Sequence, residues 1–152
     1  MSSEPSFRGA KLILRVAAVV ATLQAAAHLA LFLRSGPGPG SAAWPLVQAM
    51  RMQAAPGHTT YWGMYFGYGL LAALMAFFIA ALIWLAATFD AGNRSLARSL
   101  VALVLVTVVI HAALIARYFF TVPLIFDIVV AALLAFGRAA MVSNEQDSFR
   151  AP

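Results

Sequence analysis

The residues of this sequence best suited to chemistry are two histidines and one aspartate embedded in strongly apolar segments. His28, His111 and Asp127 fall in three different segments, and Arg117 falls close to the end of one of them. A charged group in lipid is costly, so such residues usually face the interior of a helix bundle or an aqueous cavity. Imidazole and carboxylate groups suit acid–base chemistry, and they also bind the oxygen atoms of polar ligands.

The apolar segments that carry these residues are each long enough to cross a membrane as a helix. They cover residues 12–33, 61–89, 96–118 and 123–142, and about 20 apolar residues span the ~30 Å hydrocarbon core of a bilayer. The first segment follows basic residues, as in a signal peptide, but it is longer than the apolar core of such a peptide, so we interpret it as a retained helix. The sequence therefore predicts an all-α integral membrane protein, a four-helix bundle with up-down topology in a single membrane domain over residues 1–152.

The composition excludes several classes of function. Hydrophobic residues make up 63% of the chain and charged residues 10%, whereas soluble domains are about half apolar and a quarter charged. The net charge of +5 comes from residues at helix ends, where basic residues set membrane orientation, and not from a surface for nucleic acid. Because the chain has no cysteine, thiolate catalysis, disulfide exchange and cysteine-ligated zinc or iron–sulfur centres are excluded.

The segments between the predicted helices differ in their turn chemistry. Residues 34–60 form a long external loop, in which alternating proline and glycine cannot continue a helix. Residues 44–55 are amphipathic and leave two interpretations open, a short helix in the membrane interface or an irregular loop. Thr59 or Thr60 can cap the next helix, and the tight connection at residues 119–123 makes the last two spans an antiparallel hairpin. No sheet is expected.

Basic residues indicate which side of the membrane holds the termini. Seven of the ten lie near the termini or the middle turn, and three lie in the other two connections. Since basic residues accumulate on the cytoplasmic side, both termini are predicted to be cytoplasmic, with residues 143–152 as a polar tail and the long loop outside. Arginine predominates over lysine and alanine is abundant, which favours a bacterial protein of the cytoplasmic (inner) membrane.

On this topology the ionisable residues share one layer of the membrane. At about 1.5 Å per residue, His28, His111 and Asp127 lie about 8, 6 and 8 Å from the centres of their spans toward the outer face. Gln24 lies just inside this layer, and further polar or aromatic residues lie on its outer side. The candidate ligand-binding residues are His28, His111, Asp127, Arg117, Tyr65, Tyr68, Gln24 and His58.

Three interpretations of this polar layer remain open. In the first, the layer only fixes helix register and no catalytic residue is assigned. We then expect Asp127 to pair with Arg117 across the hairpin tip, with His111 as the competing partner. In the second, an outer cavity binds the polar part of a small lipophilic ligand such as a quinone. In the third, His28 and His111 hold haem, or a His–Asp pair performs acid–base catalysis on a lipid-soluble substrate. The histidines lack a metal-binding spacing, so no metal site and no cofactor is expected, with haem and quinone as the alternatives.

Small residues predict where the helices approach each other. Ala17, Ala21 and Ala25 form a stripe on the first helix, and the Gly63-xxx-Gly67 spacing would admit a neighbouring helix against the second. We expect these faces to pack mainly within the chain, with a homodimer as the alternative. The expected partners are the lipid bilayer and other membrane proteins, which predicts an accessory or interaction subunit.

Several short elements resemble the DoxX-like proteins and similar families of small four-span bacterial membrane proteins. They are the basic start of the chain, the Ala26-Ala27-His28-Leu29 sequence late in the first helix, and the aromatic–glycine run Tyr65-Phe66-Gly67-Tyr68-Gly69. The resemblance covers nearly the whole chain in architecture. It implies a four-helix fold and an association with quinone or thiol redox complexes, although the absence of cysteine argues against a thiol role for this chain. No family residue is carried over as catalytic.

Overall fold

Five α-helices account for most of the chain. The computed structural model describes the backbone of residues 4–34 and 36–150 and the side chains of residues 7–34, 36–90 and 92–141. The helices are α1 (Glu4–Arg34), α2 (Trp44–Met52), α3 (Tyr61–Ala86), α4 (Arg94–Tyr118) and α5 (Thr121–Arg150), and a short 3-10 turn at Ala91–Asn93 precedes α4.

The four long helices have the length and composition of membrane spans. The apolar segments are Phe7–Arg34, Tyr61–Ala86, Arg94–Tyr118 and Thr121–Met141. Each exceeds the roughly 20 residues that cross a bilayer as a helix. The chain is therefore a multi-pass membrane protein, and the predicted all-α four-helix architecture is confirmed.

The long helices form a ring in which every neighbour is antiparallel. α1 packs most extensively against α3 and α5, and α4 packs against α5 and to a smaller extent against α3. The starts of α1 and α4 and the ends of α3 and α5 lie at one end of the bundle, which we call the terminal face. The opposite end carries α2 and is called the loop face.

Small residues let these helices approach closely. Ala17 and Ala25 have no exposed surface and Ala21 is 6% exposed, as the alanine stripe of α1 predicts. Many larger apolar side chains point outward instead, which suits a bundle whose surroundings are hydrocarbon. The core therefore combines close helix contacts at alanine with fully buried larger side chains such as Leu14, Ile83 and Leu134.

The first and last helices extend beyond their predicted spans. α1 begins at Glu4, and α5 continues to Arg150, so the backbone of residues 143–150, predicted as a tail, is helical. Between Gly137 and Pro152 the sequence has no proline or glycine. No residue in this segment is therefore expected to end the helix. Residues 151–152 lie outside the described residues.

The loop between α1 and α3 contains regular structure. The short helix expected there forms as α2, with Pro45 in its first turn, where proline is tolerated. Strands β1 (Ala54–Ala55) and β2 (Thr59–Thr60) pair antiparallel, so the expectation of no sheet is wrong. Gly57 and His58 in the turn have φ values of 83° and 61°, a region that glycine enters freely and that histidine also adopts in turns.

Neither glycine at the start of α3 forms a helix interface within the chain, and Gly63 belongs to the helix cap. The Thr60 hydroxyl accepts a hydrogen bond from the Gly63 backbone N–H at 3.1 Å, as predicted. A Cβ on Gly63 would collide with the Thr59 hydroxyl, and nothing lies within 4 Å of a Cβ on Gly67. The prediction that Gly63-xxx-Gly67 admits a neighbouring helix of the chain is therefore wrong, because Gly63 faces its own cap and Gly67 faces open space.

Gly69 is the glycine that brings two long helices together. A Cβ at this position would fall within the space of the Phe32 ring of α1. The same ring contacts Tyr65 and Phe66, with centroid distances of 5.9 and 5.3 Å. Phe32 thus packs directly on the α3 backbone, which fixes the separation of α1 and α3 near the loop face.

Gly69→Ala should destabilise the protein by about 1–3 kcal/mol, because the added methyl forces Phe32 out of its site. Gly67→Ala is the matched control, and it should be neutral or stabilising by up to about 1 kcal/mol, since alanine is the better helix former. Unfolding of both variants in detergent, followed by circular dichroism, measures the difference. Equal stability of the two variants would show that Phe32 does not pack on Gly69.

Candidate functional site

Among the described side chains, the charged one that is buried is that of Asp127, a residue with 4% of its surface exposed. Both of its carboxylate oxygens have partners. The Gln24 amide donates from Nε2 to Oδ1 at 2.8 Å, and the Nδ1 atom of His111 lies 2.8 Å from Oδ2. Gln24 Nε2 also lies 3.5 Å from the backbone oxygen of Pro123, at the start of α5. Gln24, His111 and Asp127, from α1, α4 and α5, are called the polar triad.

Helical periodicity directs the triad residues toward one another. On α5, Asp127 shares a face with the buried residues Val130 and Leu134, three and seven positions further on. On α4, His111 follows buried Val108 by three residues, although its own ring is partly exposed. The apolar residues that pack the bundle therefore also aim the polar groups.

The triad lies in one layer of the membrane span. Measured from the middle of each apolar segment, Gln24, His111 and Asp127 are displaced about 5, 8 and 6 Å toward the loop face at about 1.5 Å per residue. This depth is inside the hydrocarbon core, whose half-thickness is about 15 Å. Hydrogen bonds are strong in such a low dielectric, and an unpaired carboxylate would be costly.

His111 is the accessible member of the triad. Its side chain is 50% exposed, whereas that of Asp127 is 5% exposed. With an ionised carboxylate beside it, Nδ1 carries the proton and donates, which leaves Nε2 as the second functional nitrogen of the ring. Among the described residues none bonds Nε2. The neutral ring accepts a hydrogen bond there, and the protonated ring donates one.

Arg117 does not pair with Asp127. Its guanidinium lies over the ring of Tyr118, 5.3 Å from the centroid, and within the described part of the chain no ion pair joins it to Asp127. Arg117 is one residue from the end of α4, about 9 Å further toward the loop face than His111. The predicted pairing across the hairpin tip is therefore wrong, and the competing partner His111 occupies that position.

His28 and Tyr65 belong to a second, aromatic cluster between α1 and α3. The His28 ring is stacked near Phe32, with a centroid distance of 6.2 Å and an interplanar angle of 13°. Tyr65 contacts Phe32 and also Trp62, at 5.9 and 5.4 Å. We call this group the aromatic cluster (His28, Phe32, Trp62, Tyr65 and Phe66), and among the described residues no hydrogen bond joins His28 to the triad.

Two further candidates lie outside both groups. Tyr68 is 65% exposed on α3, and His58 is exposed in the turn between β1 and β2. The eight candidates thus divide into the triad, two members of the aromatic cluster, and three residues at the exposed surface.

Sequence reasoning missed two groups of contacts between cations and aromatic rings, one at each end of the bundle. At the loop face, the Arg51 guanidinium lies 5.4 Å from the ring centroid of Trp44 and 5.1 Å from that of Trp62, joining α2 to α3. At the terminal face, Lys11 and Arg94 lie 5.0 and 4.7 Å from the centroid of the buried Phe7 ring. Trp44 and Arg51 are seven residues apart, which is two helical turns. From this spacing the sequence could have predicted their contact at the loop face. At the terminal face, Phe7 and Lys11 are four residues apart, which is a similar signal, whereas Arg94 is distant in sequence and had none.

Neither a metal site nor a comparison with known proteins assigns a function to these residues. Within the described residues, no group of three or more His, Cys, Asp or Glu side chains is placed to hold a metal ion. No protein-family model, curated protein or solved structure matches the chain. What the site can do therefore depends on the geometry of the triad.

A double-mutant cycle should find coupling between His111 and Asp127 and none between Arg117 and Asp127. Interhelical hydrogen bonds in membranes couple by about 0.6 kcal/mol on average and up to about 1.7, and the 2.8 Å contact with a carboxylate predicts the upper part of that range. The measurement is the unfolding free energy in detergent of the His111→Ala, Arg117→Ala and Asp127→Ala variants, singly and in pairs. Additive losses for His111 and Asp127 would mean that their contact contributes nothing to stability.

Proposed function

We propose that this protein is a small accessory protein of a bacterial cytoplasmic membrane that binds a lipophilic ligand at His111. The observation that supports the proposal is the asymmetry of the polar triad, in which Asp127 is buried and His111 is half exposed. If this contact only fixed the helix register, we would expect both side chains to be buried. A polar atom left at the lipid boundary still needs a hydrogen-bond partner. Nε2 of His111 is the atom that we assign to the ligand.

The ligand of this site has a hydroxyl or carbonyl oxygen on an apolar body. A neutral His111 ring accepts a hydrogen bond from a hydroxyl, and a protonated ring donates one to a carbonyl. A quinol and its quinone offer these two groups in turn, and both dissolve in the hydrocarbon layer at the depth of the triad. The resemblance to DoxX-like proteins, which implies an association with quinone-linked complexes, agrees with this class of ligand.

Acid–base catalysis on a lipid-soluble substrate is the second candidate function. The 2.8 Å contact between carboxylate and imidazole favours it, because a carboxylate that orients histidine and stabilises its protonated form assists proton transfer. Gln24 holds the other carboxylate oxygen and so resists rotation of the group. Ligand binding without turnover distinguishes the accessory role from the enzymatic one.

Haem bound between His28 and His111 has less support. His28 is stacked near Phe32, and its helix, α1, lies across the ring from α4 and is not its neighbour. We expect the purified protein to show no Soret band.

A benzoquinol with a short isoprenoid tail should bind the protein through His111. Nitrogen-15 NMR of histidine-labelled protein in micelles should show a saturable shift of the His111 Nε2 resonance on titration. Losing a hydrogen bond of about 1.5 kcal/mol predicts about tenfold weaker binding by His111→Gln.

The control for this titration is His28→Gln, a histidine at similar depth outside the triad, which should bind as the unaltered protein does. If His28→Gln weakens binding and His111→Gln does not, the ligand belongs to the aromatic cluster and the proposal fails. A Soret band in the purified protein would replace the proposal with a haem protein.

The orientation belongs to the same proposal and has its own test. Both termini are assigned to the cytoplasm because seven of the ten basic residues lie on that side of the bundle. A fluorescent-protein fusion after Pro152 should fluoresce, and an alkaline phosphatase fusion at the same position should be inactive. The reverse result would place the loop face, and with it the triad, in the cytoplasmic half of the membrane.

A further inference from the structure

An apolar groove lies between α1 and α3 on the outer surface of the bundle, away from the contacts among α1, α4 and α5 that form the polar triad. Its volume is about 410 Å³, within the range of small-molecule sites. The lining residues are Ala18, Val19, Thr22 and Leu23 of α1, and Phe77, Ala80, Ala81 and Trp84 of α3. The hydroxyl of Thr22 donates to the Ala18 carbonyl at 2.8 Å, so the groove surface suits a hydrocarbon chain.

Arg15 lies at the end of this groove nearest the terminal face. It precedes Val19 by four residues and Thr22 by seven, so it shares their face of α1. Two contacts give the register of the helices, because Phe32 packs on Gly69 and Lys11 lies 3.8 Å from Asp90. Interpolation between them puts Arg15 level with the end of α3, just beyond Trp84.

Arg15 is in an unfavourable position for an isolated charge. Its backbone lies about 8 Å from the middle of the α1 span, inside a hydrocarbon half-thickness of about 15 Å. The side chain is exposed, and no described residue bonds or pairs with it. A long arginine side chain can extend to the membrane interface, where an anionic group would offset the cost of holding a charge at this depth of the hydrocarbon.

We propose that the groove binds one acyl chain of an anionic phospholipid whose phosphate pairs with Arg15. The groove supplies an apolar channel, and Arg15 and Trp84 supply the cation and the indole found where membrane helices meet lipid headgroups. Lys11 lies one turn further toward the terminal face on the same side of α1 and continues the positive charge toward the surface.

The charge at the groove favours a lipid over a second copy of the chain. A symmetric dimer through this face would bring two Arg15 side chains into one poorly solvated interface, and like charges there are unfavourable. Of the described carboxylates, Asp127 is committed to the triad and Asp90 lies beside Lys11. A second copy therefore brings no described acid for Arg15, whereas a phospholipid brings its phosphate.

Native mass spectrometry of the full-length protein in detergent tests the proposal with phosphatidylglycerol and phosphatidylcholine of identical acyl chains. One phosphatidylglycerol should be retained about fivefold better than phosphatidylcholine, as expected for about 1 kcal/mol from one arginine. Arg15→Gln should abolish this preference. Ala81→Leu should weaken both lipids, because the larger side chain fills the groove.

Two matched variants control for charge and for size. Arg138→Gln removes an exposed arginine at a similar depth on α5, and Ala132→Leu enlarges an exposed alanine on the same helix; both should retain the lipid preference. Equal binding of the two lipids, or an unchanged preference in Arg15→Gln, would overturn the proposal. A dimer that Ala81→Leu dissociates would assign the groove to a second copy and would also overturn it.

Discussion

A carboxylate in hydrocarbon must be paired, and the pairing of Asp127 sets the arrangement of three of the four long helices. Gln24 binds one oxygen from α1 and His111 binds the other from α4, while Asp127 itself belongs to α5. Leaving either oxygen without its partner would strand a charge in a low dielectric, which costs more than the pair contributes when formed. The small residues allow the helices to approach one another, and the triad determines which faces of α1, α4 and α5 pack together.

The two ends of the bundle are held by a different interaction, the contact of cations with aromatic rings, and at the terminal face Lys11 also lies 3.8 Å from Asp90. Arg51 lies between Trp44 and Trp62 at the loop face, and Phe7 lies between Lys11 and Arg94 at the terminal face. Such contacts suit the membrane interface, where one side of a group is apolar and the other is wet. These contacts hold the ends of the helices, whereas the apolar segments and the triad hold the part of the bundle that lies within the membrane.

Apolar length and periodicity were enough to predict the four spans, and the spacing of Ala17, Ala21 and Ala25 was enough to predict a buried stripe. Residue depth also brought Gln24, His111 and Asp127 into one layer. Depth along a helix does not give rotation about it, so the sequence could not decide between Arg117 and His111 as the partner of Asp127. The prediction from Gly63-xxx-Gly67 was wrong for a related reason, since the glycine that admits a neighbour is Gly69 opposite Phe32, and a single glycine has no spacing that reveals its role.

The two membrane-embedded histidines show how a partner from another helix decides what a residue can do. His28 and His111 have the same side chain and lie within a few residues of the same depth, yet His28 meets a phenyl ring and His111 meets a carboxylate. The carboxylate fixes the orientation of the His111 ring and polarises it, which the phenyl ring of Phe32 cannot do for His28. That polarisation requires α4 and α5 to be docked, and Gln24 of α1 keeps the carboxylate turned toward His111. The chemistry of the site is therefore a property of the assembled bundle and is absent from any single helix.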